Sequence, residues 1–165
     1  MNGYYRFPTI NKDKIVFVSE DNLWMITLDN PIAIKLTSST GYISSPLLSP
    51  DGKWIAYVGM IDGSTEVYLI PSNGGVSKRL TFEGSAINRI ASWDNVNIVY
   101  TSDLGQPFKR IADLRVINIK GGDSKALNYG ISSNITKDED STVIGRNTQD
   151  PARWKRYKGG TAGEL

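Results

Sequence analysis

Two short segments of this sequence carry residue types that bind ions in many proteins. The run Lys137-Asp138-Glu139-Asp140 places three carboxylates side by side, and hard divalent cations prefer such oxygen ligands. The run Gly121-Gly122-Asp123-Ser124-Lys125 has the small residues of a phosphate-binding loop, but neither its spacing nor a following helix. Both runs lie where hairpin turns are expected, and turns favour glycine and short polar residues. We therefore interpret both as turns and predict no metal and no cofactor.

Catalytic chemistry is limited by two residue types that the sequence lacks. Its 165 residues include no His and no Cys. A Ser-His-Asp triad, a cysteine nucleophile and a His/Cys metal site are therefore excluded within this chain. A Ser-Lys dyad is disfavoured because the serines fall mostly in predicted turns. We predict that this sequence contains no catalytic residue.

Composition and charge are those of an ordinary globular chain. Hydrophobic residues make up 39% and charged residues 22%, and the formal net charge is +2. So small a charge does not predict a nucleic-acid or membrane partner. The absence of Cys and of an apolar N-terminal segment is typical of a protein in a reducing compartment. We expect a cytoplasmic protein that binds no nucleic acid and no membrane.

A basic segment near the C-terminus departs from this neutral balance. It holds Arg153, Lys155 and Arg156, with aromatic residues between them. Bases of a nucleic acid can stack on such aromatics while cations meet the phosphates, but the rest of the chain is close to neutral. The other interpretation is that this basic excursion attracts the carboxyl ends of peptides. It fails if charge reversal at Arg153 and Arg156 leaves peptide processing unchanged.

The elements that position these residues follow from an internal repeat. Four short, mostly apolar runs lie at residues 15–18 (IVFV), 55–58 (IAYV), 98–101 (IVYT) and 143–146 (VIGR). Their starts are 40, 43 and 45 residues apart. Turn sequences such as Asp51-Gly52 separate the runs from their neighbours, so each repeat predicts four antiparallel strands. Four strands in about 40–47 residues is the size of a β-propeller blade.

The second strand of each repeat predicts how the blades pack. It is apolar nearly throughout, as expected for a sheet that neighbours cover on both faces. We assign blades to residues 4–40, 41–84 and 85–130, and an incomplete fourth blade to 131–165. The predicted fold class is all-β, with about three and a half four-stranded antiparallel blades of a larger propeller ring. We expect a fragment of a longer propeller, and its exposed edges make a homo-oligomer an alternative.

Polar residues on the inner strands are candidates for ligand contact, because inner strands line the central channel of a propeller. Arg89 lies in the central part of the third predicted inner strand. The serines at positions 44, 45 and 133 offer hydroxyl groups on the other inner strands. We predict Arg89, Ser44, Ser45 and Ser133 as channel-lining residues, although a paired surface arginine is the commoner role of such a side chain.

Two segments resemble known propeller families. Ser49-Pro50-Asp51-Gly52-Lys53 resembles the repeat shared by propellers of tricorn-type proteases, the TolB family and prolyl-oligopeptidase relatives. The C-terminal block, from Val143 through Trp154 to Gly163, is similar to the fourth blade of the tricorn protease N-terminal propeller. The third blade departs from the pattern, since Trp93-Asp94-Asn95 replaces the Ser-Pro-Asp-Gly turn. The likeness to the tricorn family runs along essentially the whole chain.

This resemblance implies a noncatalytic part of a six-bladed propeller at the N-terminus of a cytoplasmic serine peptidase. The peptidase would degrade oligopeptides, and the propeller would guide or gate their passage. The implied partners are the remainder of the same polypeptide and peptide substrates or products. Two alternatives remain open: a TolB-like interaction propeller, and the propeller of a prolyl-oligopeptidase or acylaminoacyl-peptidase relative. The sequence beyond residue 165 separates them, because a Gly-x-Ser-x-Gly hydrolase motif would follow in the last case.

Overall fold

The computed structural model describes residues 4–108, 111–138 and 140–146. Within these ranges the chain forms β-strands and no helix. The first sheet contains β1 (Arg6–Asn11), β2 (Lys14–Ser19), β3 (Asn22–Thr27) and β4 (Ile34–Lys35), and the second contains β5 (Tyr42–Leu48), β6 (Trp54–Met60), β7 (Glu66–Pro71) and β8 (Lys78–Arg79). The third sheet contains β9 (Ile87–Trp93), β10 (Asn97–Ser102), β11 (Asp113–Asn118) and β12 (Lys125–Ile131), and β13 (Asn134–Lys137) pairs with β14 (Thr142–Gly145).

Each four-stranded sheet is an antiparallel meander whose strands follow one another in chain order. The first strand of each sheet lies on the inside, where β1 packs against β5, β5 against β9, and β9 against β13. The sheets therefore stack side by side with their first strands together, which is the arrangement of propeller blades. The predicted all-β propeller class is confirmed.

The fourth inner strand begins later than the sequence predicts. We expected it to start near Ile131, but Ile131 belongs to β12 and pairs with Asp113 of the third sheet. Two residues with positive φ, Asn128 at 57° and Gly130 at 76°, lie within β12, and the register with β11 shifts there. This irregularity lengthens β12 to seven residues, compared with two in β4 and in β8.

The core lies between the sheets, and the two faces of β6 contribute to two different parts of it. Its side chains alternate in direction, so that Ile55 and Tyr57 pack toward the first sheet while Ala56 and Val58 pack toward the third. All four are buried. An uninterrupted apolar strand is therefore required here, because both of its faces are covered. This confirms the interpretation that the sequence pattern gave for the second blade.

The Ser-Pro-Asp-Gly turn is held by its own side chains. The Ser49 hydroxyl donates to Asp51 Oδ1 at 2.7 Å and accepts from the Trp54 amide at 2.9 Å. Gly52 takes a φ of 73°, which glycine adopts without strain. The first sheet joins this turn, since Lys14 Nζ donates to the Gly52 carbonyl at 3.0 Å. The motif thus closes a hairpin and also links two blades.

Candidate functional site

The inner strands are positioned by a side chain at the start of the third strand of a sheet. In the first sheet, Asn22 Oδ1 accepts from the Ser39 amide at 2.8 Å and from the Thr37 hydroxyl at 3.1 Å. Thr37 also accepts from the Leu23 amide at 2.9 Å. These bonds fix the connection that leads into β5. They also explain why a threonine, Thr37 or Thr81, follows the fourth strand in each of the first two repeats.

Glu66 has the same place in the second sheet, where it is fully buried. Its carboxylate accepts from the Thr81 hydroxyl at 2.5 Å, the Gly84 amide at 3.0 Å and Arg79 Nη2 at 2.9 Å. Burial alone would raise the pKa of this carboxyl group, but the hydrogen bonds outweigh it and hold the pKa below the ordinary value. Glu66 therefore remains ionised and fixes the connection that leads into β9.

Glu83 lies in that connection and is the centre of a second buried hydrogen-bond network. Its side chain is 6% exposed, and it accepts hydrogen bonds from four hydroxyl groups, those of Tyr100, Ser102, Ser85 and Ser124. Arg115 Nε lies 3.4 Å from Glu83 Oε1. Burial raises the pKa of Glu83, but the hydroxyl donors outweigh it and the net shift is downward. Burial and the bond to Glu83 together raise the pKa of Tyr100.

The two lowered carboxyl pKa values predict acid sensitivity. Each pKa is lowered in the folded chain from a reference value of 4.5. Glu66 and Glu83 therefore contribute stability that is fully present above about pH 4.5 and lost as the pH falls through their folded-state values. We expect the denaturant midpoint to drop steeply below pH 4.5. In Glu83→Gln the slope in this range should be shallower, and an unchanged slope would contradict the assignment.

Asp113 has the equivalent position in the third sheet, at the start of β11, but its contacts differ from those of Asn22 and Glu66. Its Oδ1 is buried and has no hydrogen-bond partner among the described residues. Burial is the main cause that raises the pKa of this carboxyl group. Asn128 stands where the earlier repeats have Thr37 and Thr81, so the hydroxyl donor of those repeats is missing here. The hydroxyl-to-side-chain bond that Thr37 and Thr81 make in the first two sheets therefore has no counterpart at position 128.

Register places Arg6, Ser44 and Arg89 at equivalent positions of the first three inner strands. They pair with Val18, Val58 and Thr101, each the fourth residue of its repeated run. Arg6 was not predicted, because it lies at the very start of β1 rather than in the centre of the strand. The signal that could have found it was its distance from the repeated run, which matches that of Ser44 within two residues.

A cavity of about 300 Å³ opens beside these positions. It is lined by Phe7, Tyr42, Ser44, Ser45, Thr65, Ile87 and Arg89. The structure thus brings together Arg89, Ser44 and Ser45, three of the four residues that the sequence predicted. Ser133 does not line this cavity; its backbone amide donates to the Gly145 carbonyl at 2.8 Å, next to β13. The basic excursion at Arg153, Lys155 and Arg156 lies outside the described residues.

The two arginines near the cavity differ in their partners. Arg6 pairs with Asp21, and its guanidinium carbon lies 5.3 Å from the centre of the Tyr42 ring. Arg89 instead donates from Nη1 to Asn134 Oδ1 at 2.7 Å, which connects the third inner strand to the fourth. In the described part of the chain, no carboxylate pairs with Arg89. The cavity therefore carries an uncompensated positive charge.

The described part of the chain offers neither a metal site nor a membrane-spanning helix. No three Asp or Glu side chains there come close enough to hold a metal ion. No helix there is long and apolar enough to cross a membrane. The acidic turn at residues 137–140 is described except for position 139. The cavity beside Arg89, Ser44 and Ser45, called the inner-strand cavity below, is the candidate functional site, because it brings together three residues predicted from the sequence.

Comparison with known proteins identifies the family. The sequence profile of the tricorn protease N-terminal β-propeller domain matches residues 2–165. The chain belongs to this family. In the crystal structure of the tricorn protease, the matching region superposes with a TM-score of 0.86 at 30% identity and covers 99% of this chain, but 17% of the tricorn chain. Of the three families that the sequence left open, the tricorn family is the one confirmed.

Two relatives of this tricorn-family propeller have very different lengths. A tricorn-like protease N-terminal subunit from Sulfurisphaera tokodaii is 37% identical over 100% of this chain and 86% of its own length. A tricorn protease homologue from Saccharolobus solfataricus is 34% identical over 100% of this chain but 16% of its own length. The same propeller region is thus most of one relative and about a sixth of another.

Proposed function

We propose that this chain is the noncatalytic N-terminal propeller segment of a cytoplasmic serine peptidase that degrades oligopeptides, and that its inner strands guide peptide passage. The observation that carries the proposal is the match to the tricorn N-terminal propeller over residues 2–165. We propose the peptidase activity because the relatives described above are named as a tricorn-like protease subunit and a tricorn protease homologue. The absence of His and Cys means that a Ser-His-Asp or cysteine catalytic centre must come from elsewhere.

One face of the first sheet, which no other described sheet covers, supports a role within a larger ring. Val16 and Val18 of β2 are buried against the second sheet, whereas Ile15 and Phe17 point to the opposite face. That face carries a cavity of about 870 Å³, also lined by Trp24 and other apolar residues. A further blade of the same propeller would cover this face as β6 is covered on both of its faces. We propose that the remainder of the propeller supplies that blade.

A pair of variants tests this face. Phe17→Glu places a charge on the uncovered face and should change the free energy of unfolding of this chain by less than about 1 kcal/mol, as partly exposed sites commonly do. It should nevertheless weaken association with the remainder of the propeller. Val16→Glu, one position away on the covered face, should unfold the chain, because it buries an unpaired charge. Equal effects of both variants on stability would contradict the assignment of the two faces.

Co-fractionation tests membership in a peptidase. Extract of the source cells is separated by size exclusion, the chain is followed with an antibody, and each fraction is assayed with fluorogenic tetrapeptides before and after a serine-reactive phosphonate inhibitor. The proposal expects the chain to elute together with inhibitor-sensitive hydrolysis. Elution of the chain apart from all such activity would reject the peptidase role and favour an interaction propeller.

A further inference from the structure

A second cleft, separate from the inner-strand cavity, opens between the first and second sheets. It has a volume of about 360 Å³ and is lined by Lys14, Lys53, Trp54, Ser72 and Asn73. Lys14 begins β2 of the first sheet, whereas the other four residues lie at the start of β6 and just after β7 in the second. We call this the inter-blade cleft. Its volume lies at the lower end of known ligand pockets and suits a small molecule.

Lys14 places a fixed positive charge in the inter-blade cleft. Its half-buried side chain crosses from the first sheet to the second, where Nζ donates to the Gly52 carbonyl at 3.0 Å and to the Ser72 hydroxyl at 2.9 Å. Both acceptors are neutral, and in the described part of the chain no carboxylate pairs with Lys14. An ammonium group has three N–H donors. One donor and the whole charge of Lys14 are therefore available to a ligand.

Lys53 supplies a second charge from the other side of the cleft. It lies two residues before Ile55, which packs toward the first sheet, so the alternation of side chains directs Lys53 the same way. Its one described ionic partner is Asp51, at 3.6 Å from Nζ, and both side chains are largely exposed, at 78% and 52%. So exposed a pair contributes little stability. Lys53 can therefore turn toward a ligand in the cleft at little cost.

We propose that the inter-blade cleft binds the phosphate group of a small molecule between the ammonium groups of Lys14 and Lys53. The described lining holds two cations and no carboxylate, which favours an anion with more than one charge, and a phosphate monoester carries a charge of about −1.5 to −2 at pH 7. The exposed Asn73 side chain makes no hydrogen bond to another described residue and adds N–H donors. Trp54 packs against the core on the other face of β6, so we assign it no contact with the ligand.

A bound phosphate would link two blades, because one lysine belongs to the first sheet and the other to the second. The Ser72 hydroxyl already connects Lys14 to the turn of the Ser-Pro-Asp-Gly motif, since it donates to the Gly52 carbonyl at 2.7 Å. The ligand would add a second connection at the same end of the blades. This role is independent of the peptidase function proposed above.

An NMR titration of the ¹⁵N-labelled chain tests the site at constant ionic strength. The probes are inorganic phosphate, glycerol 3-phosphate and acetate. We expect both phosphates to shift the amides of residues 51–54 and 72–74, and acetate to bind about tenfold more weakly, the factor for one hydrogen bond to a charged group. Tighter binding of glycerol 3-phosphate would identify a phosphate ester as the ligand, and tighter binding of inorganic phosphate the free anion; both support the site. Equal affinity for acetate, shifts confined to other strands or no saturable shift would overturn the proposal.

A matched pair of lysine variants locates the charge. Lys53→Gln removes an exposed side chain of the cleft and should lose about tenfold in affinity for phosphate. Lys125→Gln removes an equally exposed lysine from β12 of the third sheet and should bind like the wild type. Equal losses in the two variants would overturn the assignment. Lys14→Gln should lose at least as much as Lys53→Gln; if it fails to fold, Lys53→Gln decides.

Thermal unfolding of the same variants tests the link between the blades. A ligand that binds the folded chain raises its unfolding temperature, but phosphate also stabilises proteins in general by its exclusion from their surface. The gain in unfolding temperature at saturating phosphate should therefore be smaller in Lys53→Gln than in Lys125→Gln. An equal gain in both would mean general salt stabilisation alone and would overturn the proposal.

Discussion

Replacing Glu83 with alanine is expected to lower the free energy of unfolding by about 3–5 kcal/mol, the range for removing one partner of a buried ion pair. The carboxylate is 6% exposed and receives four hydroxyl donors. Its loss leaves Arg115, whose side chain is 14% exposed, without its counter-charge and several hydroxyls without an acceptor. Because Glu83 lies in the connection to β9, we expect the third sheet to loosen first, together with the strand that carries Arg89.

Urea denaturation at pH 7 measures this effect, with Glu20→Ala as the control. Glu20 is an exposed carboxylate in the turn between β2 and β3, so its removal should change stability by less than about 0.5 kcal/mol. Glu83→Gln keeps one acceptor oxygen and should fall between the two. A Glu83→Ala chain as stable as the control would show that the hydroxyl network contributes little.

The second large effect is expected at Gly41, where a methyl group should cost about 3 kcal/mol, at the upper end of values for overpacked sites. A Cβ at this position would overlap the Met60 carbonyl oxygen and come within 2.8 Å of its carbon and 3.0 Å of Ile61 Cα. These are backbone atoms, so no change of side-chain rotamer relieves the contact. Gly41→Ala must therefore displace the start of β5, which carries Ser44 and Ser45.

Gly63→Ala provides the comparison for Gly41. Gly63 lies in the nearby turn with nothing within 4 Å of an added Cβ, but with a φ of 95°. Its replacement should cost about 1 kcal/mol, which is the conformational penalty alone. Thermal unfolding of both variants gives the difference. If Gly41→Ala is no less stable than Gly63→Ala, the close approach to Met60 does not limit this connection.

The strands could be predicted from sequence because local rules and the repeat agree. The runs at 15–18, 55–58 and 98–101 lie within β2, β6 and β10, and the Asp51-Gly52 turn closes its hairpin as its chemistry requires. The start of β13 could not be predicted, because β12 continues to Ile131 through a register shift. Positive φ at Asn128 and Gly130 permits this extension, and periodicity carries no signal for it.

The candidate site could be predicted only in part. Arg89, Ser44 and Ser45 were predicted because inner strands line the central channel of a propeller; the structure places all three on one cavity, and their channel role stays a prediction. Phe7 was missed, because the bulge that directs its ring is a property of the backbone and leaves no residue pattern. The partner of Arg89 was also hidden, since Asn134 is 45 residues away and meets it only through blade packing.

The most direct measurement of the proposed function is peptide hydrolysis after removal of this chain. Extract of the source cells is depleted with an antibody against the chain and assayed with fluorogenic tetrapeptides, and a mock depletion with unrelated antibody serves as the control. If the chain is part of a tricorn-type peptidase, whether on one polypeptide or as a subunit, most of the serine-inhibitor-sensitive hydrolysis should leave with it. Full retention of that hydrolysis after complete removal of the chain would contradict the proposal.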